Sequence, residues 1–290
     1  MVKKMYLCRL KVLNLIQMKI NYLCRQPLLI LALVALCGGA FAQSTYDYNA
    51  EPNRFWIDLN AGVGGTRSFD ESTVPFAYGG IHDMEQVGVT DEWKRCHLQF
   101  TGTRYKTKYL DLDGSNSAYS TKLEFLYSCL NPSVKRWHFW TGVSTNNIFE
   151  LKQLEELQNA AVTFSLFHEL SAEERVECDF AYDKANATHP WLTAFFHLSL
   201  PLYTVGTRPG YAYVVDPLNN IFDMLFGANV PVFKFLPGCT TDLGFNLNFR
   251  NGNRIGLSYT WDYLSTGKKG AYRYDNAYHT VKLSFMFKIQ

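Results

Sequence analysis

The sequence predicts an all-β protein: a closed antiparallel transmembrane β-barrel of about ten strands, within a range of roughly eight to twelve, with a short helix in a long extracellular loop. Three observations predict it. Segments near ten residues long alternate between apolar and polar side chains; beyond the N-terminal 42 residues no stretch is apolar for the roughly 20 residues of a helical span; and long and short connections sort to opposite sides.

The N-terminal 42 residues stand apart. They carry Lys3, Lys4, Arg9, Lys11, Lys19 and Arg25, no acidic residue, an apolar run from Leu28 to Cys37, and the small-residue stretch Gly38-Gly39-Ala40-Phe41-Ala42. A positive region, an apolar region and an Ala-x-Ala site are the parts of a secretory signal peptide, so cleavage is expected between Ala42 and Gln43. The run is too short for a retained anchor. Met18 would open a leader of ordinary length, and translation is expected to start there. Residues 43–290 then form the barrel domain. Six of the 28 Lys and Arg and none of the 26 acidic residues lie in the first 42 positions, which leaves 22 basic against 26 acidic residues, a formal charge of −4. No basic stripe remains, and no nucleic-acid partner is expected.

A strand sends successive side chains to opposite faces, and a membrane barrel needs one face for lipid and one for its lumen. In the last segment His279, Val281, Leu283, Phe285, Phe287 and Ile289 share one face, while Tyr278, Thr280, Lys282, Ser284, Met286 and Lys288 share the other. Before it, Ile255, Leu257, Tyr259, Trp261 and Tyr263 alternate with Arg254, Gly256, Ser258, Thr260 and Asp262; Leu243, Phe245, Leu247 and Phe249 alternate with Asp242, Gly244, Asn246, Asn248 and Arg250. Asn251-Gly252 between them is a strong hairpin signal. Phe55 to Val63 and Tyr119 to Tyr127 repeat the pattern, with Arg54, Asp58, Lys122 and Glu124 on the polar side. Weaker candidates are 95–110, 135–149, 160–169, 175–184 and 191–203. Segment 95–110 reads worst, because Arg104, Lys106 and Lys108 share a face with Leu98 and Phe100.

Ten segments make an even number, as a barrel with both ends on one side requires. The three longest connections, 67–94, 204–239 and 265–276, follow odd strands and are expected outside the cell, where they would contact ligands or partner proteins. The short ones, 111–117, 185–190 and 251–252, fall on the other side. Asp216-Pro217 offers a cap and a first-turn proline, Leu218, Ile221, Phe222 and Leu225 recur at helical spacing, and Gly227 stops the run, so a short helix is expected in the longest loop. Leu151, Leu154 and Leu157 suggest a further helical turn.

Beyond the leader lie Cys96, Cys129, Cys178 and Cys239, with no CxxC pair, so no zinc or redox site is expected. Cys96 and Cys129 fall near one end of neighbouring strands, where either a disulfide or two buried thiols would fit.

A leader ending Ala-Phe-Ala-Gln, alternating strands and a final strand rich in aromatics from Tyr278 to Phe287 resemble the small outer-membrane β-barrel proteins of Gram-negative bacteria. The resemblance is architectural. It implies an outer-membrane location, with membrane lipid and the outer-membrane assembly machinery as partners. In that class the last residue is commonly aromatic; here Lys288-Ile289-Gln290 follows Phe287, which displaces the assembly signal. Members include adhesins, pores and lipid-modifying enzymes, so activity does not follow from the likeness.

The chain is accordingly read as a non-enzymatic barrel with binding loops and a mostly filled polar lumen. No cofactor or metal ligand set is expected. The lumen network comprises Arg54, Asp58, Lys122, Glu124, Asp242, Arg250, Arg254, Asp262 and Lys282, nearly balanced in sign. Two alternatives stand beside it. His197 and Ser199, two apart on one strand, share a face as in some outer-membrane lipid hydrolases or acyltransferases, although Leu200-Pro201 departs from the usual Asn and no acid partner can be named. The other is a secreted, soluble, lipocalin-like barrel with its apolar faces turned inward.

Overall fold

A computed structural model describes residues 54–71, 74–93, 95–129, 136–154, 162–183, 186–209, 229–268 and 271–289. The expected leader with its Ala42–Gln43 site and the expected helix at 216–227 lie outside them. The described chain is strand and turn: β1 Arg54–Asp70, β2 Val74–Trp93, β3 Cys96–Tyr109, β4 Gly114–Ser128, β5 Trp137–Leu154, β6 Val162–Asp183, β7 Asn186–Pro209, β8 Asn229–Phe235, β9 Gly238–Asn248, β10 Arg254–Lys268 and β11 Ala271–Lys288. No helix among these residues is long and apolar enough to cross a membrane.

Consecutive strands from β1 to β8 and from β9 to β11 pair antiparallel, and β1 pairs with β11 to close the wall. Strands β8 and β9 share one place in it. The upper half of β7, 203–209, pairs with β8, and its lower half, 192–199, pairs with β9. The break is local: Leu236 adopts a left-handed conformation (φ 47°) before Pro237, which has no amide hydrogen for a ladder. The result is a closed ten-strand antiparallel barrel.

Burial in this barrel is inverted relative to a soluble protein. Val63, Leu243, Leu257, Val281, Leu283 and Phe287 are exposed on its outside, whereas Asp58, Glu124, Glu150, Lys152, Glu173 and Arg208 are buried inside. The soluble lipocalin-like alternative required the opposite arrangement and is corrected here: the greasy faces point away from the lumen. Outward charge begins higher on some strands than on others. It starts at Arg67 on β1, at Asp83 and Glu85 on β2 (opposite Val63 and Ala61), and at Arg104 on β3 (opposite Glu85). A boundary that slides along the register from strand to strand is what a tilted wall crossing a level apolar layer produces.

Strand length departs most from expectation. Segment 67–94 is not a loop: β1 continues to Asp70 and β2 occupies 74–93. Its outer face holds Asp83 and Glu85 among Ile81, Val87 and Val89, so it lacks the charge-free face by which strands were recognised. Segments 160–169 and 175–184 are one strand, β6, of 22 residues. One missed strand and one divided strand cancel, which leaves ten. Most of 265–276 is the paired ends of β10 and β11, and 204–239 contains the end of β7 and all of β8. The connection at 110–113 lies at the same end as Pro209 and Asn229, not with 251–252, because β2 shifts the strands between it and β6 by one. Leu151 and Leu154 belong to β5 rather than to a helical turn, and Leu157 lies outside the described residues.

The end holding Arg54 and Lys288 is called the near end. There β9 and β10 are joined through Arg250, Asn251 and Gly252, with Gly252 in the left-handed region (φ 88°), where it accepts a 3.1 Å hydrogen bond from Trp56 Nε1. Arg250 is exposed in this turn, not in the lumen as expected, because the chain reverses one residue earlier than the alternation suggested.

Gly64 sets how closely β1 approaches its neighbours. A Cβ there would overlap the His279 carbonyl and stand 2.9 Å from His82 Cε1. Gly64→Val should therefore destabilise the barrel by about 1–3 kcal/mol through overpacking, read as a lower urea midpoint of the folded, heat-modifiable form; an unchanged midpoint would contradict this close packing.

Candidate functional site

The lumen is the candidate site, because strand alternation delivers polar side chains to it from every wall position. Near its lower end Arg254 stacks over Trp56, 4.7 Å from the ring centre, and Arg175 pairs with Glu177 at 2.6 Å. Arg54, half-buried, opens β1 at this level. Asp58 accepts hydrogen bonds from Thr90 Oγ1 (2.5 Å) and Gln99 Nε2 (3.0 Å). Asp242 pairs with Lys282 at 2.6 Å, and Asp262 accepts from Thr240 Oγ1 at 3.0 Å.

The densest cluster sits at mid-height around Glu173, whose side chain is 0% exposed. Lys122 Nζ lies 2.9 Å from Glu173 Oε1 and 2.7 Å from Glu124 Oε2. Ser199 Oγ donates to Glu173 Oε1 at 2.8 Å, and Ser144 Oγ donates to the same oxygen. His197 Nε2 lies 2.9 Å from Glu173 Oε2 and 3.5 Å from Glu124 Oε2. His197 and Ser199 do share the lumen face, as residues two positions apart on a regular strand must. No hydrogen bond joins them: the serine gives its hydrogen to a carboxylate, so the imidazole is not placed to take it. Glu173 supplies an acid that sequence reasoning could not name.

Toward the far end the interior closes. Asp70 pairs with Arg208 at 2.7 Å and with Lys152 at 3.3 Å. Both cations lie over the Tyr274 ring, 4.3 and 4.2 Å from its centre, and Tyr274 OH donates to Glu150 at 2.5 Å. Val74, Tyr78, Tyr109 and Leu154 form an apolar cluster at the same end. Between this plug and the lower pairs remains a cavity of about 250 Å³, lined by Asp58, Glu124, Glu169, Asp242 and Asp262 among others.

Sequence reasoning missed Asp70, Glu150, Lys152, Glu169, Glu173 and Arg208. Asp70 continues the phase of Asp58 along β1, and simple extension of that alternation finds it. Glu173 falls where β6 was divided. Arg208 faces inward only because β7 changes phase. Its register with β6 slips between Ser171↔Pro201 and Leu170↔Tyr203, so inward positions are odd below the slip and even above it.

Cys96 and Cys129 are free thiols, as is Cys178. Cys96 stands opposite Tyr127, two residues from Cys129. A diagonal offset of that kind separates Cα atoms by about 7–8 Å, beyond the span of an unstrained disulfide.

The plug is held by buried opposite charges, so removing one leaves the others uncompensated. Arg208→Leu should destabilise the barrel by roughly 3–5 kcal/mol, whereas Arg250→Leu in the exposed turn should change stability little. Equal effects in urea unfolding would contradict the assignment of Arg208 to the interior.

No protein-family model matches the chain, and no curated protein matches it. The chain shows a distant similarity to several solved structures. Neisserial surface protein A is 12% identical over 82% of this chain and 100% of that one, with a TM-score of 0.34. The translocator domain of the autotransporter NalP from Neisseria meningitidis is 9% identical over 92% and 98%, with a TM-score of 0.41. The toluene transporter TodX of Pseudomonas putida is 7% identical over 85% and 95%, with a TM-score of 0.31. At these identities and TM-scores the likeness indicates no particular subfamily.

Proposed function

We propose that this chain is a non-enzymatic outer-membrane β-barrel protein of the cell surface, with a mostly filled polar lumen and a protruding end that contacts a ligand or partner protein. The inverted burial carries the reading: an apolar outer wall around paired charges is stable in hydrocarbon and unstable in water. Dimensions support it. The outward apolar run of β1, from Phe55 to Val63, rises about 20 Å at ~3.3 Å per residue and ~40° tilt, close to the ~25 Å apolar band of such barrels. Strand β2 has 20 residues, which on the same arithmetic reach about 50 Å. Roughly half of its length therefore stands beyond the hydrocarbon, with Asp83, Glu85, Arg104, Lys106 and Lys108 on the outer wall. The protruding face is thus built of paired strands, a stiffer platform than the free loops expected from sequence.

A lipid hydrolase reading draws on one observation, the convergence of His197, Ser199 and Glu173. The bonding favours a structural role, since Ser199 is committed to Glu173. His197→Ala and Ser199→Ala are expected to leave lipid A and phospholipid profiles of intact membranes unchanged; loss of a deacylated or acyl-transferred species in either variant would establish the enzyme instead.

The location is tested by fractionation and by heat-modifiable migration in SDS gels, both expected to report an outer-membrane barrel. Leu283, exposed on the wall opposite Ala61 and Leu257, provides a quantitative check. Leu283→Arg should cost on the order of 2–4 kcal/mol in lipid vesicles; a negligible cost would remove that position from the hydrocarbon.

A further inference from the structure

We propose that the mid-lumen cluster of His197, Glu173 and Glu124 is a binding site for a divalent transition-metal ion such as Zn²⁺. Among the described residues these three side chains offer one imidazole nitrogen and two carboxylate oxygens within 4.8 Å of one another. Ligand atoms about 2.1 Å from a common tetrahedral ion stand roughly 3.4 Å apart. The separations of 2.9 and 3.5 Å from His197 Nε2 to the carboxylates bracket that value.

A second, independent observation points to a ligand. His197 Nε2 and Glu173 Oε2 are close yet not aligned for a hydrogen bond, and both atoms are buried without a hydrogen-bond partner, as is Glu124 Oε1. The two glutamates are at least nine-tenths buried. Unsatisfied acceptors held that deep are costly, and a shared cation satisfies them together. A mixed set of one nitrogen and two oxygens suits a borderline ion better than Ca²⁺ or Mg²⁺, which prefer oxygen throughout. His197, Glu124 and Lys122 all line the 250 Å³ cavity, so water can complete the coordination.

Lys122 now neutralises the carboxylates, and it competes with a metal for the same oxygens. Its side chain is 25% exposed to the cavity, into which it can withdraw. This gives the site a signature that a plain salt-bridge cluster lacks: removing the lysine should strengthen metal binding.

The test uses the full barrel refolded in detergent, with folding verified by heat-modifiable migration. Zn²⁺ is titrated against a chromophoric chelator, and Co²⁺ is followed by visible absorption. One equivalent should bind, His197→Ala and Glu124→Gln should weaken binding by more than about 100-fold, and Lys122→Met should tighten it. The absence of saturable Zn²⁺ uptake by the folded protein, an unchanged affinity in folded His197→Ala, or uptake abolished only by alkylating the four cysteines would each overturn the site.

Discussion

Charge can sit inside a narrow barrel only when opposite charges and hydrogen-bond donors converge on it, and the rest of this structure depends on that convergence. Glu173 shows the constraint in its sharpest form. It is fully enclosed, and it meets Lys122, Ser144, Ser199 and His197 from three different strands. Such a carboxylate fixes the register of β4, β5, β6 and β7 against one another, because a shift of one residue would exchange every inward group for an outward one. The apolar exterior follows from the same arithmetic: strands that send their charges inward have hydrophobic residues left for the other side.

The lumen is graded along its length. Its far end is closed by the Asp70, Arg208 and Lys152 pairs around Tyr274 and by the adjacent tyrosine and aliphatic cluster. Its middle is more acidic and retains a cavity. A barrel of ten strands is wider than the eight that side chains alone just fill, so some vacancy is geometrically expected. What occupies it is decided by charge, and the cavity lining favours cations. The plug and the cavity also divide the labour of the interior. The first rigidifies the far end of the barrel, while the second leaves a polar chamber at mid-height.

Alternation made the wall legible. Residues 119–127, 243–249, 255–263 and 279–289 carry an almost charge-free outer face, and the structure buries Glu124, Asn246, Ser258 and Thr280 of the alternate face. The reasoning failed where the outer face of a strand carries charge. Asp83, Glu85, Arg104, Lys106 and Lys108 are outward charges, so β2 looked like loop and β3 looked irregular. It failed again at Pro201, where a register shift resets the phase and hides Arg208, and at Leu236-Pro237, where a break splits one wall strand into β8 and β9. The mid-lumen cluster was half visible: His197, Ser199, Lys122 and Glu124 could be placed on inner faces, but Glu173 lies inside the stretch where β6 was cut. Three ligands from three distant strands leave no spacing signature for a metal.

The central claim is that the outer wall faces lipid and the inner face water. Nitroxide scanning of β11 in lipid vesicles tests it most directly, with single labels at positions 281, 282, 283 and 284 and collision rates measured against oxygen and against a water-soluble nickel complex. Labels at 281 and 283 should collide preferentially with oxygen, and those at 282 and 284 with the nickel complex or with neither. The reverse phase, or four labels all open to the nickel complex, would contradict the orientation on which everything else rests.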